Sequence, residues 1–219
     1  MSRVLRFCFD YISPYAYLGF TQMEALGARH GCEIEPVPLL FAALLNAHGT
    51  RGPAEVPARR RYLMKDVLRI AVHLKQPIQV PFSHPFNPLL ALRVSSLPEL
   101  SASERLALVG ALYRATWVER KNISDLEAVA EVVESVGLSR ALILRANEPD
   151  VKERLKRQTE QAIAAGVFGV PSILVEGELF WGTDSLPHLE RFLEGRDPVP
   201  SNLLQMWEHL PATAMRKNI

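Results

Sequence analysis

Hydrophobic and polar positions divide the chain into three parts, and the first part reads as alternating strand and helix. An apolar run over residues 4–10, a helical pattern over 14–30 and a second apolar run over 33–39 predict strand, helix and strand. Gly31 is placed to end the helix. Because parallel strands need a crossover connection, which is right-handed, this order predicts a βαβ unit.

The middle part carries helical patterns without strand signals. Two starts resemble capping boxes, Ser101-x-x-Glu104 and Ser124-x-x-Glu127. Residues 49–57 and 76–88 are rich in Gly and Pro and are predicted to be irregular. The predicted helices cover residues 59–74, 88–97, 102–119, 125–136, 139–146 and 149–165.

Strand signals return near the end of the chain. Residues 171–175 and 178–181 read as two strands joined by a tight turn, and a last helix is predicted over 185–194. Trp207 and Leu210 predict that part of the tail packs back on the domain.

The order βαβ, helical block, ββα predicts an α/β fold. We expect a thioredoxin-like four-stranded mixed sheet with a large all-helical insertion, because both ends of the chain need partners in one sheet. The predicted thioredoxin-like domain combines residues 1–40 with 167–219, and the helical insertion domain covers 41–166.

Composition excludes several classes of partner. The 25 Lys and Arg residues nearly balance 24 Asp and Glu, so nothing in the charge recruits nucleic acid or a membrane surface. The histidines lack metal-ligand spacing, so no metal site is expected. The two cysteines, Cys8 and Cys32, are expected to be buried thiols rather than a redox pair. Reduced thiols, together with the absence of a signal peptide pattern, predict a cytoplasmic protein.

Candidate chemistry begins where the first strand meets the first helix. Ser13 can cap that helix and Pro14 suits its first position. The Ser13 hydroxyl then lies at a helix N-terminus, where the macrodipole and free N–H groups favour an anion. Helix capping alone would explain Ser13, and a solvated face alone would explain the basic run 59–61.

Three separated stretches are expected to meet near Ser13. In a thioredoxin plan the first turn lies beside the loop that enters the third strand, here 169–171. A cis Val170–Pro171 bond would turn the Val170 backbone towards an extended peptide. Thr183 and Asp184 could bind an α-carboxylate and an α-amino group. Glutathione fits the implied ligand, a short peptide with a thiol.

Several motifs together resemble one family, the 2-hydroxychromene-2-carboxylate isomerases, which are similar to kappa-class glutathione transferases and more distantly to DsbA-like oxidoreductases. The resemblance implies bound glutathione and a homodimer. It implies that Ser13 holds the glutathione thiolate and that Val170, Pro171, Thr183 and Asp184 bind the tripeptide backbone. The matching stretches are residues 9–19, 85–93, 117–119, 166–172 and 179–184.

The first insertion loop departs from the family pattern. Thr50 stands where the family has Asn, and Arg59 stands where it has Lys; both positions contact glutathione or substrate in that family. Arg59 could hold a substrate carboxylate, although a planar guanidinium differs from an ammonium in geometry. A pocket for an aromatic substrate is predicted from Tyr15, Phe82, His84, Phe86 and Asn87, each of which could equally be structural.

The resemblance implies a glutathione-dependent isomerase that acts on a small aromatic carboxylate. It would interconvert 2-hydroxychromene-2-carboxylate, or a related cyclic hemiketal acid, and trans-o-hydroxybenzylidenepyruvate in aromatic hydrocarbon degradation. Two alternatives stay open at this point: a kappa-like glutathione transferase, and a non-catalytic module that binds thiols or peptides. A dithiol oxidoreductase is disfavoured because position 13 is Ser and no cysteine stands near it.

Overall fold

A computed structural model describes residues 2–200, 207, 209–211 and 214. Its four strands form one mixed sheet in the order β2-β1-β3-β4. β1 pairs in parallel with β2, whereas β3 is antiparallel to both β1 and β4. This confirms the predicted thioredoxin-like sheet. The strands are β1 (Arg3–Phe9), β2 (Cys32–Pro38), β3 (Ser172–Val175) and β4 (Glu178–Trp181).

The helices follow the predicted positions closely, with one addition between β2 and the first irregular loop. Short 3₁₀ turns occupy Pro53–Glu55 and Thr183–Ser185. Residues 75–88 are irregular, as predicted. The α-helices are α1 (Pro14–His30), α2 (Phe41–Ala47), α3 (Pro57–Leu74), α4 (Leu89–Ser95), α5 (Ala102–Trp117), α6 (Leu126–Ser135), α7 (Leu142–Arg145), α8 (Pro149–Ala164) and α9 (Leu186–Leu193).

Two local predictions about helix ends have different outcomes. Gly31 ends α1 in the left-handed region at φ 62°, as predicted. The start predicted at Ser124 is wrong by one residue, because the Asp125 carboxylate accepts the N–H groups of Glu127 and Ala128. Ser124 instead donates its hydroxyl to the Asn87 carbonyl.

One hydrophobic cluster joins the sheet to the helical segment. Leu5 and Phe7 of β1 belong to the same buried cluster as Leu108 of α5 and Val129 of α6. The predicted helical insertion therefore packs directly on the sheet. An aromatic group at this junction contains Phe9, with ring centroids 5.2 Å from Tyr11 and 5.6 Å from Tyr113.

The tail does not pack as predicted at the two positions named for it. The side chains of Trp207 and Leu210 are 68% and 60% exposed. The other tail positions, 201–206, 208, 212–213 and 215–219, lie outside the described residues. Among the described helices, none is both long enough and apolar enough to cross a membrane.

Both cysteines are free thiols. Burial raises the pKa of the Cys8 thiol to about 12, which makes it inert at neutral pH. Cys32 is only half-buried, so the prediction of two buried thiols holds fully for Cys8 alone.

Candidate functional site

Ser13 caps α1 as the sequence predicts. Its hydroxyl oxygen accepts the Ala16 N–H at 3.1 Å, and Pro14 occupies the first turn. The hydroxyl proton is directed to the Val170 carbonyl across a longer distance of 3.3 Å. The first turn and the loop before β3 therefore meet at Ser13. The Val170–Pro171 peptide is cis.

Side chains of the helical segment hold the backbone of the turn that presents Ser13. The Trp117 indole N–H donates to the Tyr11 carbonyl at 2.9 Å, and His84 Nε2 lies 3.0 Å from the Ile12 carbonyl. A carbonyl only accepts, so Nε2 carries a proton there. Burial lowers the pKa of His84, which favours the neutral ring with Nδ1 free to accept.

Asp10 lies beneath this turn and is fully buried. Its two carboxylate oxygens accept the Ile12 N–H at 3.1 Å and the Phe41 N–H at 2.9 Å. Burial raises the pKa of Asp10 from its usual 3.8 to about 7, although the two backbone hydrogen bonds oppose the shift. Asp10 thus ties the Ser13 turn to the start of α2.

A cavity of about 360 Å³ opens in front of Ser13, within the size range of small-molecule sites. Its floor is the Ser13 turn and the Val170 backbone, and residues of α2 form one side. Aromatic side chains from two different regions, Phe41 and the adjacent pair Phe168 and Trp181, belong to its lining.

The polar lining of the cavity is basic. Arg51 and Arg59 both contribute to it, and His48 and His84 are the other titratable nitrogen groups. Its lining contains no Asp or Glu. Within the described residues neither arginine forms an ion pair, so both guanidinium groups are available to an anionic ligand.

Tyr15 lines both this cavity and a second one of about 370 Å³. Its hydroxyl donates to Asp66 of α3 at 2.9 Å. Burial and then this hydrogen bond raise the pKa of Tyr15, with smaller contributions from other charges that include Asp184. The phenol stays neutral, and its proton is committed to α3 rather than to a ligand.

Not all residues predicted for glutathione lie in one cavity. Thr50, Arg59 and Val170 line the Ser13 cavity, whereas Thr183 and Asp184 line a neighbouring cavity of about 300 Å³ together with Arg29 and Glu190. Pro171 supports β4 by accepting the Gly182 N–H through its carbonyl at 2.9 Å.

The residues predicted for the substrate also separate into two groups. Tyr15 and His84 line the Ser13 cavity. Phe82 and Phe86 line a separate small crevice beside Ile123, and the Phe86 ring centroid lies 6.3 Å from that of His84. The Asn87 side chain accepts the Leu89 N–H at 3.0 Å and so caps the start of α4. Phe82, Phe86 and Asn87 therefore do not line the Ser13 cavity.

Several lining residues were missed by the sequence analysis: Phe41, His48, Arg51, Phe168 and Trp181. A signal existed for some of them, because Phe168 and Trp181 stand within the family-like motifs and residues 41–47 are rich in the strong helix formers Ala and Leu. No sequence pattern identified Asp10 as a buried group, since its burial depends on α2 closing over it.

The sequence model described as a DSBA-like thioredoxin domain matches residues 4–194. The chain therefore belongs to the DsbA-like thioredoxin family. The 2-hydroxychromene-2-carboxylate isomerase of Sphingobium xenophagum is 30% identical over 199 residues, which cover 88% of this chain and 99% of that protein. Within the broader fold, the chain belongs to the 2-hydroxychromene-2-carboxylate isomerase family.

Two further similarities agree with this placement. Glutathione S-transferase kappa 1 of Rattus norvegicus is 27% identical over 221 residues, or 92% of this chain and 96% of that protein. A solved structure of a 2-hydroxychromene-2-carboxylate isomerase superposes with a TM-score of 0.79 at 24% identity, covering 95% of this chain and all of that one. The fold is shared along nearly the whole chain.

Proposed function

We propose that this protein is a glutathione-dependent isomerase of an aromatic carboxylate. The reaction is the interconversion of 2-hydroxychromene-2-carboxylate, or a related cyclic hemiketal acid, with trans-o-hydroxybenzylidenepyruvate, in the degradation of aromatic hydrocarbons. The relative from Sphingobium xenophagum carries that name and aligns along nearly its whole length. Its identity of 30% supports the reaction class more strongly than the particular substrate.

One observation carries the proposal. The Ser13 hydroxyl, at the N-terminus of a 17-residue helix, faces a cavity lined by aromatic side chains and by two arginines that pair with no carboxylate of the described residues; the lining itself contains no carboxylate. A helix N-terminus and guanidinium groups both favour anions. This cavity would therefore accept two anionic groups, the thiolate of a bound thiol and the carboxylate of an aromatic acid.

The residues around Ser13 fit a thiolate ligand. The Ser13 hydroxyl can redirect its proton from the Val170 carbonyl to the sulfur, because the present bond is long, while its oxygen still accepts the Ala16 N–H. Val170 would offer its backbone to the tripeptide. When bound, glutathione supplies a thiolate able to add reversibly to the conjugated double bond of the open substrate.

The energy needed to ionise the thiol is within reach of these groups. A thiol with a pKa of about 8.5 is mostly protonated at pH 7, and lowering the pKa to about 6.5 requires about 2.7 kcal/mol. A hydrogen bond to a charged group contributes about 1.5–3 kcal/mol, and a helix terminus about 0.3–1 kcal/mol. Serine also avoids the mixed disulfide that a cysteine at position 13 would form with glutathione.

The remaining assignments divide between the two ligands. We assign the substrate carboxylate to Arg59 with Arg51, and we place Tyr15 and His84 beside the substrate. Thr50 is assigned to glutathione in the Ser13 cavity. Thr183 and Asp184 are assigned to the ends of the tripeptide from the neighbouring cavity, and the Pro171 carbonyl accepts the N–H of Gly182, the residue before them.

The test is a spectrophotometric assay with 2-hydroxychromene-2-carboxylate, run with and without glutathione. The proposal predicts equilibration with the open pyruvate only when glutathione is present, with the glutathione recovered unchanged. No acceleration over the buffer rate with glutathione present would overturn it.

A kappa-like glutathione transferase is the second candidate, favoured by the 27% identity to the rat kappa enzyme along 92% of this chain. Steady accumulation of a glutathione conjugate would support it. A non-catalytic thiol-binding module would bind glutathione without turnover, and Ser13→Ala would leave that affinity unchanged. The homodimer and the cytoplasmic location stay predictions.

A further inference from the structure

Phe168 and Trp181 form an exposed aromatic pair at the mouth of the Ser13 cavity. Their ring centroids are 4.8 Å apart at an interplanar angle of 56°. The side chains are 41% and 52% exposed, whereas large aromatic residues of the core are almost fully buried. Two large apolar rings held together beside a cavity, rather than covered by the fold, present a surface for a ligand.

Regular structure fixes the backbone from which the Trp181 ring projects. Trp181 pairs with Ser172 in the antiparallel register between β3 and β4. Its indole lies directly over Gly169, where an added Cβ would be 2.5 Å from Nε1. The absence of a side chain at position 169 therefore allows the ring to lie against the backbone beside Val170.

The pair shares the cavity with the guanidinium groups of Arg51 and Arg59. A cavity lined by both flat apolar rings and cations is complementary to a planar apolar ring that carries a carboxylate. Aromatic pairs contribute about 0.5–1.5 kcal/mol beyond the area that they bury. A saturated ring of the same size and charge would gain the buried area without this additional interaction.

We propose that Phe168 and Trp181 determine substrate specificity by stacking against a planar conjugated ring whose carboxylate is bound by Arg51 and Arg59. This deepens the proposed function, on which it rests for the identity of the substrate. It assigns the selection of planar, conjugated acids to Phe168 and Trp181, and the binding of the thiol separately to Ser13.

The experiment compares two acids with one carbon skeleton and one charge. Binding of trans-cinnamate and of 3-cyclohexylpropanoate is measured by calorimetry without glutathione, in the wild type, Trp181→Leu and Phe168→Leu. We expect the wild type to bind cinnamate about fivefold more tightly than the saturated acid. Each substitution should reduce that ratio towards one while affinity for the saturated acid changes less than twofold.

Two further variants control the interpretation. Trp207→Leu removes an exposed indole that does not line the cavity and should keep the wild-type ratio. Gly169→Ala keeps the indole but displaces it, because the new methyl group would meet Nε1, and it should reduce the ratio as well. Circular dichroism verifies that each variant is folded.

A ratio of one in the wild type, or a ratio that survives in folded Trp181→Leu, would overturn the inference. Because this binding is measured without glutathione and without turnover, it is independent of the isomerase assay. If the isomerase assay is positive but the variants keep the wild-type ratio, only the role of the aromatic pair is refuted. If the variants lose the ratio but the wild type shows no isomerase activity, only the proposed reaction is refuted.

Discussion

The Ser13 cavity has two walls of opposite character. The inner wall, which we define as Ile12, Ser13 and Val170 with the buried Asp10 and Tyr11 beneath them, is largely buried, and side chains hold its backbone through hydrogen bonds. The rim, which we define as Arg51, Arg59, Phe168 and Trp181, consists of exposed side chains. Side chains from three regions of the chain, Asp10, His84 and Trp117, donate or accept hydrogen bonds that hold the inner wall. The rim side chains belong to separate, exposed segments.

This difference suggests a division of labour. Groups that stabilise a reactive anion must be held rigidly, since their effect depends on position. Groups that select a ligand can vary without disturbing the fold, and both departures from the family pattern, Thr50 and Arg59, lie on the open side of the cavity. We therefore expect substitutions in the inner wall to change stability or the rate, and substitutions at the rim to change affinity.

The largest effect is expected at Asp10. The unfolded chain releases this proton near pH 4, whereas the folded protein retains it until about pH 7. The unfolding free energy should therefore fall as the pH rises through this window, with Asp10 contributing up to about 4 kcal/mol. Denaturant unfolding at several pH values should show that Asp10→Asn loses this part of the pH dependence.

The matched control for Asp10 is Asp125, an exposed carboxylate that also accepts two backbone N–H groups. Asp125→Asn leaves Asp10 in place and should therefore keep the fall in unfolding free energy between about pH 4 and pH 7. If Asp10→Asn also kept this fall, the contribution assigned to the buried carboxyl would be wrong.

Ser13→Ala tests the inner wall at the reacting group. Loss of the hydroxyl donor should lower kcat of the proposed isomerase roughly tenfold or more, since a hydrogen bond to an anion contributes about 1.5–3 kcal/mol. The lost helix cap should also lower the unfolding free energy by about 1 kcal/mol. Steady-state kinetics and denaturant unfolding measure the two effects.

Ser101→Ala separates the chemical from the structural effect. Ser101 caps α5 in the same way, accepting the Glu104 N–H at 3.2 Å, and lies outside the cavity. We expect a similar loss of stability with kcat unchanged. Equal kcat values in the two variants would reduce Ser13 to a helix cap.

At the rim, the double variant Arg51→Gln with Arg59→Gln should raise KM for the aromatic carboxylate about tenfold and leave kcat nearly unchanged. Each exposed cation contributes at most about 1 kcal/mol to binding in both the ground state and the transition state. Arg61→Gln, an exposed neighbour on α3 that does not line the cavity, is the control. A fall in kcat with KM unchanged would place the arginines in the chemistry instead.

The smallest effect is expected at Asp184, which is exposed and lines the neighbouring cavity. Asp184→Ala should raise the Kd for glutathione about threefold, since an exposed ion pair contributes less than about 1 kcal/mol. Calorimetry with Asp197→Ala as an exposed control measures this. An unchanged Kd would remove Asp184 from the glutathione site.

The sequence was most informative where local rules act. Ser13 and Pro14 at the helix start, Gly31 at its end and the four strands follow from capping and periodicity, and the structure confirms them. The predicted thioredoxin plan also placed the loop 169–171 beside Ser13, and Ser13 and Val170 are in contact.

The rest depends on long-range packing that local patterns do not encode. Asp10 is buried and accepts the N–H of Phe41, which lies 31 positions further along the chain. Asn87 was predicted for the substrate because its polar side chain stands among prolines and aromatics, but its own amide caps α4. Whether an exposed arginine such as Arg51 lines a cavity depends on how its loop folds back over Ser13.

The central claim is that Ser13 stabilises a bound thiolate, and a pH titration of the thiolate absorbance of glutathione on the protein tests it most directly. We predict that the pKa of bound glutathione falls from about 8.5 to about 6.5 in the wild type and returns towards 8.5 in Ser13→Ala. A bound thiol that titrates like free glutathione in the wild type would contradict the account.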